Sequence, residues 1–177
     1  MKKSKYLLGC TFFLLLAFHF AGCEPVTDDG TYVDPITLYE KVNGSWKLSD
    51  ITQIDETAKT MGISPSELKL TEQFDFTSFA IALNVDAAQT PTSYLVSGAA
   101  PELFPNQGFW DLNTSFPYAN AKAPTINLYS DQAKTTLIGQ LSITSIPGAK
   151  PEMELKLSRS SDGVPFVSYV YKLITAN

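Results

Sequence analysis

From Trp46 onward the polar and apolar side chains alternate with a period of two, and this pattern restricts the chain more than any other feature. In residues 152–158, Glu152, Glu154, Lys156 and Ser158 alternate with Met153, Leu155 and Leu157, one face for water and one for a core. Eight such segments are predicted, at 45–55, 73–86, 92–98, 107–113, 124–129, 135–146, 152–159 and 165–175. The stretches between them are too short for parallel crossovers, so neighbouring strands run antiparallel. Eight such strands either close into an up-and-down barrel, which removes exposed edges, or split into a sandwich, and the barrel is the expected all-β fold. In the second segment Phe74 and Phe76 keep one parity while Phe79, Ile81, Leu83 and Val85 keep the other. A bulge near Thr77 and Ser78 would account for the slip and bend the strand.

Helical signals are few. Asp34 and Pro35 before Ile36 to Val42, closed by Asn43 and Gly44, fit a short N-terminal helix. Ser64, Pro65, Ser66 and Glu67 read as a capping box opening one or two turns to Lys69 in the connection between the first two strands.

The first 22 of the 177 residues differ from the rest: they carry Lys2, Lys3 and Lys5, no acid, and the sole histidine, His19. From Cys23 onward ten basic face 18 acidic side chains, a net charge of −8, which argues against nucleic acid or anionic lipid headgroups as partners. Cys10 and Cys23 are the two cysteines, so the body beyond Cys23 has no thiol, disulfide or imidazole. Thiol and histidine nucleophiles are thereby excluded, as is a zinc site built on Cys or His, and neither a cofactor nor a metal is expected.

Tyr6 to Phe20 is an apolar run of 15 residues behind the three lysines, shorter than the roughly 20 that span a bilayer, and it reads as a secretory signal. It ends in Phe20, Ala21, Gly22, Cys23, which resembles the bacterial lipoprotein box, in which the cysteine is lipidated and becomes the new N-terminus. The resemblance implies an outer-membrane lipoprotein held by lipid on Cys23. Cys10 has too little apolar sequence before it to serve as that site. Glu24 to Gly30 is polar and turn-prone, a tether. Its acids behind Cys23 either resemble the surface-export signals of Bacteroides-type lipoproteins or are a solvated linker. The expected organisation is a signal peptide over 1–22, a tether over 23–34 and a barrel domain over 35–177.

At the first strand stand Gly44, Ser45, Trp46, Lys47 and Leu48, and this Gly, any residue, Trp pattern after a short helix is similar to the opening of lipocalin-like proteins. With the leader, the whole resembles the lipocalin-like lipoproteins of the Bacteroides type, many of unknown function. The resemblance implies that Trp46 closes one end of the barrel against an arginine on the last strand. Here the pattern departs. Arg159, the sole arginine, lies at the turn between strands seven and eight, at the other end, and Lys172 is the better placed cation for Trp46. A second copy, Gly108, Phe109, Trp110, Asp111, Leu112, opens the fourth strand at Arg159's end.

Carboxylate pairs are the remaining route to acid–base catalysis. Glu152 and Glu154 are about 6.6 Å apart by strand rise, near a glycosidase separation, yet they alternate with core residues and face water. Asp55 and Glu56 read as loop solvation, and Asp75 as the back of a strand. No phosphate loop or serine elbow is present, and no catalytic residue is expected. The apolar face offers more: Leu137, Leu141, Ile143, Met153, Leu155, Leu157, Val167, Tyr169, Tyr171 and Leu173 would line the interior, with Gly139 making room. An eight-stranded barrel either fills with side chains or holds one small ligand. Strand parity gathers Leu103, Phe104, Trp110 and Arg159 at one mouth. Two classes follow: a non-catalytic, surface-tethered module binding a small apolar or glycan-like ligand, or a filled barrel whose loops dock a protein as accessory subunit or inhibitor.

Overall fold

The computed structural model describes residues 34–99, 103–116 and 122–176. The leader, Cys23 and all of the tether but Asp34 lie outside the described residues. Helix α1 spans Leu38–Val42, and strand β1 follows at Gly44–Asp55. Next come helix α2 (Glu56–Met61), the short strand β2 (Glu67–Lys69) and a 3-10 turn at Leu70–Glu72. The remaining strands are β3 (Ala80–Val85), β4 (Pro91–Ser97), β5 (Gln107–Leu112), β6 (Thr125–Tyr129), β7 (Leu137–Ser145), β8 (Glu152–Ser161) and β9 (Val164–Thr175).

Each strand from β3 to β9 pairs antiparallel with its neighbour in sequence, and β9 returns to β1 along most of its length, from Trp46↔Thr175 to Asp55↔Val167. That pairing closes eight strands, β1 and β3 to β9, into an up-and-down barrel and rules out the sandwich. Closure needs bent strands, and register irregularities that bend them fall in β1 (Leu48/Asp50) and in the pairings around Leu83, Leu128, Ile143 and Arg159.

The expected bulge at Thr77 and Ser78 does not occur, because 73–79 is not strand. Asp75 Oδ1 accepts from Thr77 N (3.2 Å) and Oγ1 (2.6 Å), an Asx-type turn that breaks the extended run before Ala80. Phe74 and Phe76 stack on each other, with centroids 5.4 Å apart, instead of alternating across a sheet.

The helix of the β1–β3 connection is likewise earlier than expected. Asp55 Oδ1 accepts from Ala58 N (2.8 Å) and so caps α2, while Gly62 ends it in the left-handed region at φ 69°. Glu67–Lys69 instead forms β2, which pairs with Thr52–Ile54 where β3 no longer reaches. In α1 the cap is Thr37 rather than Asp34: its hydroxyl accepts from Glu40 N, and Glu40 Oε2 accepts from Thr37 N (2.6 Å).

The barrel interior is one continuous cluster of large side chains. Trp46, Leu48, Ile51, Phe79, Ile81, Leu83, Tyr94, Trp110, Leu112, Ile126, Leu128, Leu141, Ile143, Met153, Leu155, Leu157, Tyr171 and Leu173 are all buried in it. At the end where β1 begins, α1 adds Leu38 and Val42 as a cover, and Leu38 N donates to Ser115 O (2.9 Å). At the opposite end the 3-10 turn contributes Leu70. Leu137, expected inside, is half exposed: the irregularity at Leu128/Tyr129 turns the start of β7 outward.

Candidate functional site

The expected mouth was built from Leu103, Phe104, Trp110 and Arg159, and the structure brings three of the four together. Arg159 continues the inward parity of β8, in register with Val167, and its Nη2 donates to the Leu103 carbonyl. Phe104 lies edge-on to Tyr171, with ring centroids 6.1 Å apart at 69°, and Phe79 meets the same tyrosine at 5.8 Å. Tyr94 reaches up from inside the barrel to donate to Pro105 O (3.0 Å). The β4–β5 loop is therefore a plug that puts an aromatic ring into the barrel end. Gly139 faces Phe104, and a Cβ there would lie 3.9 Å from the Phe104 Cβ, ordinary contact. Burial in this apolar interior pushes Tyr94 up to about 12 and raises Tyr171 further, so both hydroxyls stay protonated.

Trp110 belongs to the other end. Three residues into β5 it has passed the level of the plug, and its ring lies 6.4 Å from that of Tyr39 of α1. Its Nε1 donates to Asn84 O (2.8 Å), so the indole is fully satisfied inside the core. Parity placed the start of β5 correctly and the tryptophan incorrectly, because three residues of strand rise carry it about 10 Å along the wall, toward α1. Trp46 is buried under α1, Nε1 donating to Val42 O at 2.8 Å. Lys172 does not stack on it. It sits on the outward face of β9 opposite Asp50 and Glu154, on the far side of the sheet from the indole. Gly44, at φ 119°, turns the chain from α1 into β1.

Two features on the outer wall escaped the sequence. In the first, Ser168 and Ile54 face outward opposite each other yet are buried, because α2 lies over them. Glu56 of α2 pairs with Lys156 Nζ at 2.7 Å, and Ser158 and Ser168 share a hydrogen bond of 2.9 Å beneath it. The hydrogen bonds from Lys156 and Ser168 hold the Glu56 carboxyl below its ordinary range. Asp55 and Glu56 are thus a cap and an anchor, not loop solvation. Glu152 and Glu154 do face outward, with Glu154 Oε1 accepting from Thr144 Oγ1 at 2.7 Å.

The second feature is an open groove of about 460 Å³ across β3, β4 and β5, lined by Asn84, Ser93, Leu95, Gln107, Phe109 and Ser130, with Tyr94 and Gly108 at its floor. Leu95 lies opposite Gln107, and Ser93 opposite Phe109, whose other cross-strand neighbour is Tyr129. Gly108 keeps the floor closed to side chains. A Cβ there would strike the Tyr129 carbonyl oxygen and lie 2.9 Å from the Tyr94 ring. Beside the groove, Lys134 pairs with Asp111 at 2.8 Å and donates to Pro91 O at 3.0 Å, so these two charges answer each other. The sequence signal was present: Leu95 and Phe109 are apolar residues at outward parity. Among the described residues no group of three or more His, Cys, Asp or Glu is placed to hold a metal ion, and no helix is long and apolar enough to cross a membrane.

A closed eight-stranded antiparallel barrel, capped by a helix at one end and plugged by a loop at the other, defines the class of protein. The chain belongs to the family described as a domain of unknown function, DUF5004, whose model matches residues 22–174. No curated protein matches it, and neither does any solved structure.

Proposed function

We propose that the chain is a non-catalytic binding module of the cell envelope, held at the outer membrane by lipid on Cys23, whose recognition surfaces lie on the outside of a filled barrel. The observation that carries this is the Phe104–Tyr171 contact: with an aromatic plug seated at one end and α1 covering the other, the interior is occupied by the protein's own side chains. A small apolar ligand inside the barrel would have to displace them. Of the two arms, apolar or glycan-like, the outer groove with its mixed lining favours the second.

A protein-docking role has its own support. Met61, Ile63, Phe74, Leu137, Val164 and Phe166 are all exposed on the elements around the plugged end, an apolar rim that suits an accessory subunit or inhibitor. The Ala21, Gly22, Cys23 ending of the leader supports the anchor, and the lipocalin-like Gly44, Ser45, Trp46 opening accords with the barrel. Two measurements test the proposal. Cys23→Ser should move the protein from salt-washed membranes to the soluble fraction. Fatty acids, sterols and bile-acid-like amphiphiles should leave the emission of buried Trp46 and Trp110 unchanged. A saturable emission change with any of these amphiphiles would overturn the filled interior.

A further inference from the structure

We infer that the groove on the β3–β5 wall is a binding site for a short neutral saccharide, an inference that rests on the reading of the chain as a module that binds on its outside. The lining is Asn84, Ser93, Leu95, Gln107, Phe109 and Ser130, two apolar side chains set among amides and hydroxyls with no charged group. Amide and hydroxyl side chains both donate and accept hydrogen bonds, which matches a ligand whose own groups are hydroxyls that do the same. Phe109 and Leu95 supply apolar contact for the C–H faces of pyranose rings, which water solvates poorly.

Charge excludes the main competitors. A fatty acid or nucleotide needs a cation; the lining holds none, and Lys134, which reaches β5 two residues beyond Phe109, is already committed to Asp111 at 2.8 Å. An extended peptide recognised by strand addition needs a free sheet edge, and β4 and β5 are paired on both sides. The site is also built to hold its shape. Asn84 Nδ2 donates to Ser93 Oγ at 3.1 Å across β3 and β4, and the Asn84 carbonyl takes the Trp110 indole at 2.8 Å, which ties the groove floor to the core. A volume of about 460 Å³ lies within the range of small-ligand sites, roughly 300–1,000 Å³.

The test is amide chemical-shift mapping of the protein from Cys23 onward, with Cys23→Ser, titrated with maltotriose, cellotriose, xylotriose and chitotriose. At least one should give saturable shifts confined to Ser93, Leu95, Gln107, Phe109 and Ser130. Gln107→Ala, at an exposed position that the fold does not need, should weaken that binding about 2- to 10-fold, the worth of one neutral hydrogen bond. Phe109→Ala should weaken it about tenfold through lost ring contact. Absence of groove shifts with all four sugars overturns the inference, as does binding that Gln107→Ala and Phe109→Ala both leave unchanged. Shifts elsewhere on the outer surface would overturn the groove while leaving the outside-binding module intact. Shifts at Tyr171 and Leu155 would instead overturn the filled interior, and the inference with it.

Discussion

Phe104 and Tyr171 meet edge to face with centroids 6.1 Å apart, and this single contact joins the β4–β5 loop to the last strand inside the barrel. The loop is fastened on either side of Phe104, by Arg159 at Leu103 and by Tyr94 at Pro105. The residues that would guard a ligand entrance in a hollow barrel are here tied across that end.

Removing the plug should therefore loosen that end. Phe104→Ala is expected to destabilise the fold by about 1–3 kcal/mol, less than a fully buried phenylalanine because the ring is only partly buried. It should also admit a hydrophobic dye that the native protein excludes. Denaturant titration and dye fluorescence read the two effects, and wild-type values for both would show that the ring does not close the barrel.

At the opposite end the indole of Trp46 both fills the core and ties β1 to α1 through Val42 O. Trp46→Ala should cost about 3–5 kcal/mol. Trp46→Phe, which keeps most of the ring but not the donor, should cost about 1 kcal/mol beyond the change in volume. Lys172→Ala, on the outer face, should change the denaturation midpoint hardly at all. Equal losses for Trp46→Ala and Lys172→Ala would restore the cation–tryptophan pairing that the geometry denies.

Two glycines make opposite predictions. A Cβ at Gly108 collides with the backbone of β6 and the Tyr94 ring, so Gly108→Ala should cost about 1–3 kcal/mol, as overpacking does. At Gly139 the nearest atom to an added Cβ is a Leu128 methyl at 3.5 Å, and Gly139→Ala should be tolerated. Thermal unfolding of the pair checks the order.

Glu56 should make stability depend on pH in the acid range. Its hydrogen bonds from Lys156 and Ser168 lower its folded pKa below the ordinary 4.5. The contribution is then fully present above 4.5 and is lost as pH falls through the lower folded value. The expected signature is a steeper acid loss of stability in wild type than in Glu56→Gln. Parallel curves for the two proteins would remove Glu56 from the account.

The all-β class and antiparallel order, along with most strand boundaries, were legible because period-two alternation and short turns are local properties of the chain. Met153, Leu155, Leu157, Tyr171 and Leu173 fell inside, as their parity required. Local signals also misled. Ser64 to Glu67 has a capping-box spacing, but Asp55 and Gly62 compete for the helix, and pairing with β1 draws Glu67–Lys69 into a strand. Phe74 to Phe79 reads as strand by composition until Asp75 turns the chain.

Closure, the depth of each residue along a tilted wall, and the use of the loops were decided only in three dimensions. Parity can say that Trp110 points inward, but its depth along β5 and the placement of α1 decide that it meets Tyr39 and not Arg159. Alternation can say that Phe109 and Leu95 point outward. It takes the registers Ser93↔Phe109 and Leu95↔Gln107 to make them the walls of one groove, because those neighbours come from different strands and hydrogen-bonded register is a property of the closed sheet.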